Sequence, residues 1–194
     1  MLKDIRNIFS RHHQVVNIAA EQLSDAMAEG VNVIVDAILK KKKLLVMGNG
    51  GSAADAQHFV AELVGRFKTE RKALPAISLV DNSSILTAVS NDYSFSKVFQ
   101  RQIEALAKSG DVVFGISTSG NSENIIFALQ AAKKMGCITF GLLGKDGGKI
   151  ASVVDYPLIV ADEDTPRIQE VHIIMIHIFC EMIERQLLRA GADG

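Results

Sequence analysis

The chain has 194 residues, 48% of them hydrophobic and 22% charged, the composition of one sizeable globular domain and not of a disordered or fibrous chain. A formal net charge of −1 excludes a protein whose main task is gripping nucleic-acid backbone, which needs a strong positive field. A small anionic ligand held by backbone N–H groups stays open. Cys137 and Cys180 match no zinc or redox spacing and read as two buried thiols in a reducing compartment. Residues 1–11 mix Lys3, Asp4, Arg6 and Arg11 with apolar side chains and lack a signal-peptide core. The most apolar stretch, 171–183, carries His172, His177 and Glu181 and falls short of the roughly 20 residues that span a bilayer. The expectation is a cytoplasmic protein with neither membrane nor nucleic acid as partner.

From Ile5 to Leu39 apolar residues recur at helical spacing: Ile5, Ile8, Phe9, Val15 and Val16, then Leu23, Met27, Val31, Ile34 and Ile38. This predicts two helices ahead of any strand. Short apolar runs follow at 44–47, 76–80, 112–116, 138–142 and 158–160, each a strand candidate. Helical patterns lie between them at 53–64, 98–107 and 123–135, and a last helix runs from near Arg167 to Leu188. About five apolar strands alternating with helices predict an α/β fold, a three-layer α-β-α sandwich around a parallel sheet. Such sheets place ligands beyond the carboxyl ends of their strands. The lysines at 40–43 read as a solvated strand entrance.

Two loops carry hydrogen-bonding chemistry. After the first strand comes Gly48-Asn49-Gly50-Gly51-Ser52 and at once a helix. Glycines let the backbone turn sharply and approach a ligand, and the helix start offers unpaired N–H groups. The loop is neither a dinucleotide fingerprint nor a P-loop, and alone it is as compatible with a structural turn as with a ligand site. After the third strand comes Ser117-Thr118-Ser119-Gly120-Asn121-Ser122, with four hydroxyls in six residues. An ordinary N-cap needs one or two of these; the full set suits a phosphate ringed by uncharged donors.

His58 and Glu62 stand at i and i+4 on the helix that the glycine loop starts, so they share one face. That helix is mostly apolar, and a carboxylate on it needs a partner or an open cleft. Gln169, His172 and His177 lie in or beside the apolar run of the last helix. His172 reads as a satisfied core histidine.

Taken together, Gly48 to Phe59, Asn91-Asp92-Tyr93, Gly115 to Ser122, and Thr165 to His172 resemble the phosphoheptose isomerase family, the sedoheptulose 7-phosphate isomerases of the sugar-isomerase (SIS) fold. The match runs over nearly the whole chain from Leu44. The resemblance implies one flavodoxin-like SIS domain over 1–194, with 1–40 a helical extension taking part in the packing of a homotetramer whose active sites lie at subunit interfaces. It implies one Zn2+ per subunit, with His58, Glu62, Gln169 and His177 as ligands. It makes Asn49, Gly50, Gly51, Ser52, Glu62, Asn91, Asp92, Ser117, Thr118, Ser119, Ser122 and Gln169 substrate contacts, Glu62 the general base and His177 its acid–base partner. The implied reaction converts sedoheptulose 7-phosphate to D-glycero-D-manno-heptose 7-phosphate, the entry to heptose for bacterial lipopolysaccharide.

Ser90 and Ser94 stand where the family commonly has glycine, so the loop carrying Asn91 and Asp92 is a point to check. Arg71 reads as solvated surface charge, and Arg66 is left open between substrate contact and surface. Gln169 and His177 are eight positions apart, roughly 12 Å along a regular helix. A shared ligand therefore needs an irregular helix start or a neighbouring subunit. The main rival function is a non-enzymatic module of the same fold, binding a sugar phosphate or the replication initiator; a second is an isomerase acting on a different phosphorylated sugar. The scaffold branch lacks the catalytic pair that this chain retains in Glu62 and His177.

Overall fold

Every residue of β1 (Leu44–Gly48) and β3 (Val112–Ser117) is buried, as is β4 (Ile138–Gly144) after its first. Unbroken burial, in place of alternation, marks strands covered on both faces. With β2 (Ala76–Ser78) and β5 (Tyr156–Val160) they form an all-parallel five-stranded sheet in the order β2-β1-β3-β4-β5. This architecture is that of a computed structural model, which describes residues 1–191.

One face of the sheet is covered by α1 (Leu2–Leu39), α2 (Gly51–Val64) and α7 (Thr165–Arg189), the other by α4 (Val98–Leu106), α5 (Glu123–Lys134) and the short α6 (Gly148–Ala151). The predicted three-layer α/β sandwich is the fold observed. On the α1 side Phe114, Phe140 and Tyr156 sit in register on adjacent strands and stack, with centroids 4.7 and 4.6 Å apart. Helix α1 comes so close to this stack that a Cβ on Gly30 would lie 2.9 Å from Phe140 Cε1. Strand order reverses between β1 and β3, so the glycine and serine loops open onto the crevice at the switch point.

Two sequence expectations are corrected. The two leading helices are one, 38 residues long. The buried series runs Val15, Ala19, Leu23, Met27, Val31, a steady i+4 spacing whose link between Val15 and Leu23 is a small alanine. From Val15 onward the helix belongs to the core layer. The second correction is α3 (Ser83–Asp92), which places Asn91 and Asp92 on its last turn, where a loop was expected. No residue of α3 is fully buried, and only Leu86 and Val89 pack half-buried against the core, an apolar face too short to announce the helix. Its one local mark is Asn82, whose side-chain oxygen accepts from Ile85 N at 3.0 Å, an N-cap. Ser90 is helical and Ser94 extended, with φ −171°, so neither position calls on glycine's conformational freedom.

His172 is fully buried, as read from sequence, and ties α7 to the sheet by donating from Nε2 to Leu143 O at 3.0 Å. Its Nδ1 is buried with no hydrogen-bond partner. Burial pulls its pKa down to about 4 from 6.5, against the opposing effect of the Leu143 bond. The unfolded chain binds this proton at a higher pH than the folded one, so stability falls as pH drops from 6.5 through about 4. Thermal unfolding followed across that window should show a falling Tm. The fall should be shallower in His172→Gln, whose amide keeps a donor for Leu143 and cannot titrate.

Candidate active site

The glycine loop is built to turn tightly. A Cβ on Gly48 would fall 2.2 Å from Ser52 O, and Gly50 has φ +56°, a combination only glycine accepts. Gly50 is the N-cap of α2 and no side chain caps that helix. Ser52 is buried in its first turn. Across the switch point the serine loop draws its hydroxyls together: Ser117 Oγ lies 3.1 Å from Ser122 Oγ and 3.5 Å from Ser119 Oγ. Ser122 stands at the N-cap of α5 and makes no capping bond there, its hydroxyl being turned to Ser117. Thr118 and Ser119 are half-buried beside them.

Helices α2 and α7 lie side by side and run in the same direction. A Cβ on Gly51 would meet Gln169 Nε2 at 2.6 Å, His58 faces His177, and the Phe59 and Phe179 rings are 6.3 Å apart. The candidate catalytic side chains come from the middle of this seam. His58 Nε2 is 2.9 Å from His177 Nε2 and 3.5 Å from Glu62 Oε1. Glu62, His58 and His177 thus form one cluster from two helices distant in sequence. Gln169 lies toward the start of the seam against the glycine loop. Helix α7 is regular from Thr165, so an irregular start does not bring Gln169 to His177. Asn91 and Asp92 are exposed, and their side chains bond to each other, Nδ2 to Oδ1 at 2.8 Å. Arg66 is exposed and 3.7 Å from Glu70.

Comparison with known proteins decides the family. The sequence pattern of the SIS domain matches residues 9–144. The phosphoheptose isomerase of Geobacter sp. (strain M21) is 58% identical over 98% of this chain and 100% of its own length. Its counterpart from Citrifermentans bemidjiense is also 58% identical over the same shares. The chain belongs to the phosphoheptose isomerase family. Among solved structures, that of phosphoheptose isomerase from Neisseria gonorrhoeae superposes with a TM-score of 0.90 at 40% identity, covering 95% of this chain and 100% of that one. That from Francisella tularensis gives 0.92 at 35% identity, covering 95% and 98%.

In this member of the phosphoheptose isomerase family the main feature that sequence reading misjudged is Arg71. It is not surface charge: its side chain is 3% exposed and pairs with Glu184, 2% exposed, at 2.9 Å. Arg71 also donates to the carbonyls of Glu62 and Leu63 at 2.8 and 2.9 Å, closing the end of α2. Glu184 accepts from the backbone N–H groups of Phe67, Lys68 and Thr69. Burial would raise the Glu184 pKa, but those N–H groups and the Arg71 guanidinium outweigh it and hold the carboxyl below its usual value. The pair thereby sets Phe67 against His177, ring centroids 5.6 Å apart and nearly parallel. The free carbonyls at a helix end were the available sequence clue, though nothing in the spacing singles out Arg71 over Arg66.

Asp55 is the other side chain the sequence gave no reason to select. It lies one turn before His58, one of its oxygens is buried without a partner, and burial pushes its pKa up to about 6 against the attraction of His58. As for a metal, nitrogen and oxygen donors suit zinc, whose tetrahedral ligands stand about 3.3 Å apart at bonds of about 2.0–2.1 Å. Two facing imidazole nitrogens at 2.9 Å and a carboxylate oxygen at 3.5 Å fit that chemistry. Among the described residues no three His, Cys, Asp or Glu side chains close around one point, so the protomer presents a partial donor set. Removing one partner of a buried ion pair costs about 3–5 kcal/mol. Glu184→Ala should accordingly lower stability by about that amount in urea titration, and Arg71→Lys, which keeps the charge but not the fork of donors, should cost less.

Proposed function

We propose that the protein is an aldose–ketose isomerase that converts sedoheptulose 7-phosphate to D-glycero-D-manno-heptose 7-phosphate. The observation carrying this is the convergence of Glu62 and His177 through His58, beside a hydroxyl-lined loop at the switch point. Isomerisation removes a proton from the carbon beside a carbonyl and returns one to its neighbour. Glu62, a carboxylate open to the cleft, takes the proton at C1 and delivers it to C2. His177 Nε2, the atom turned into the cluster, serves as acid–base partner at the substrate oxygens. Phe67 covers the imidazole on one side and limits water there. Ser117, Thr118, Ser119 and Ser122 bind the phosphate, so that binding energy far from the reacting carbons orients them. The glycine loop and Gln169 hold the sugar at the start of the seam, and Asn91 and Asp92 reach it from the rim.

His58, Glu62, His177 and Gln169 are the residues that would hold one Zn2+ per subunit. Zinc supplies Lewis acidity at the carbonyl oxygen. The scaffold reading is disfavoured by the presence of both Glu62 and His177. Among the described residues no helix is long and apolar enough to cross a membrane, and a cytoplasmic place at the entry to heptose for lipopolysaccharide fits the substrate. The assembly proposed is a homotetramer. Ile5, Ile8, Phe9 and Ile18 on α1 and Ile178 on α7 are large apolar side chains left exposed by the protomer, and an unpartnered stripe of this kind suits burial against further copies. Subunit contact is also the way for Gln169 and the rim residues to meet a cluster they do not touch within one chain.

Glu62→Gln should reduce turnover of sedoheptulose 7-phosphate by about 10²- to 10⁴-fold while calorimetry still registers ligand binding; a variant retaining near-normal rate removes Glu62 as the base. Replacing His177 by Ala should lower both zinc content by elemental analysis and rate, and unchanged zinc would assign His177 to proton transfer alone. Light scattering should give about four times the mass of one chain, and Ile8→Glu with Phe9→Glu should reduce it.

A further inference from the structure

Asn124 belongs to neither loop and is the second residue of α5, with 3% exposure. Its amide forms a reciprocal pair with Asn49: Asn49 Nδ2 donates to Asn124 Oδ1 and Asn124 Nδ2 donates to Asn49 Oδ1, both at 2.9 Å. Two hydrogen bonds closing one ring fix both amide planes at once. The pair also lies where the backbone no longer holds the two loops together, since the β1–β3 ladder ends at Gly48 and Ile116.

The two loops differ in how they are otherwise restrained. The serine loop is pinned from its far side: Ile150 N donates to Gly120 O at 2.9 Å, Lys149 N donates to Asn121 Oδ1 at 3.1 Å, and a Cβ on Gly120 would fall 2.1 Å from Gly147 O. The glycine loop has open space at its crest, with nothing within 4 Å of a Cβ on Gly50. Gln169 backs the loop at Gly51, and the Asn49 amide ties its base to the start of α5.

We propose that Asn124 is a positioning residue for the sugar-phosphate site, acting through Asn49 to set the separation of the glycine and serine loops. One N–H of the Asn49 amide is committed to Asn124, and the other is held in a fixed direction for a ligand oxygen. The loops then meet a phosphorylated sugar already spaced, and its binding does not bear the cost of ordering the crest.

The inference rests on the isomerase reading, and the test separates the two. Steady-state kinetics with sedoheptulose 7-phosphate, together with the thermal shift produced by inorganic phosphate, are measured for wild type, Asn49→Ala, Asn124→Ala and the double variant. Loss of two hydrogen bonds should raise KM about tenfold with a much smaller change in kcat, and should remove most of the phosphate-induced shift. The double variant should be no worse than Asn49→Ala alone, because Asn124 acts only through Asn49. A purely structural role would lower Tm and leave KM and the phosphate shift intact. That result, or multiplicative effects in the double variant, overturns the proposal. If Asn124→Ala does not fold, Asn124→Ser keeps one of the two bonds and should show a smaller rise in KM; a wild-type KM there counts against Asn124. Should wild type fail to turn over the sugar, the isomerase reading falls, and the phosphate shift still decides the role of Asn124.

Discussion

Two parallel helices laid in step bring His58, Glu62 and His177 together, and the Arg71–Glu184 ion pair holds the helices so. Arg71 closes the end of the helix that carries Glu62, while Glu184 sits two turns beyond His177 on the other. Both charges are almost completely out of water, which is costly unless every donor and acceptor is met. Here the carboxylate meets three backbone N–H groups besides the guanidinium. The saturated network couples the ends of α2 and α7 and leaves the carboxylate and imidazole little freedom to drift apart. Precision of this kind is what proton transfer between adjacent carbons demands.

A second constraint comes from topology. A parallel sheet whose strand order reverses between β1 and β3 directs two loops outward in diverging directions. The crevice between them is a product of the fold, and the sequence equips its walls. One wall is glycine, for close backbone approach, and the other is hydroxyl. Neither loop contains a lysine or arginine, in keeping with a chain of nearly balanced charge that binds a small anion through local dipoles.

Much of this was legible before any coordinates. The apolar runs of β1, β3 and β4 are buried throughout, so their hydrophobicity carried no ambiguity. The i, i+4 placement of His58 and Glu62 on one helical face followed from helical geometry alone. Other elements were hidden for physical reasons. Helix α3 only half-buries Leu86 and Val89 against the core, so its apolar face is short and easily missed, and Asn91 and Asp92 read as loop residues in the sequence. The small Ala19 masked the continuity of α1. Arg71 and Asn124 have partners more than 70 positions away in the chain, and no local pattern marks an arginine that meets a distant glutamate or an asparagine that meets another amide.

The uncapped starts of α2 and α5 have a consequence for the kind of ligand the crevice takes. Two helices open on the same crevice with no side-chain cap bond at either N-cap, Gly50 or Ser122. An oxyanion bound as proposed would meet those N–H groups, so the two helix starts favour an anionic ligand without a charged side chain.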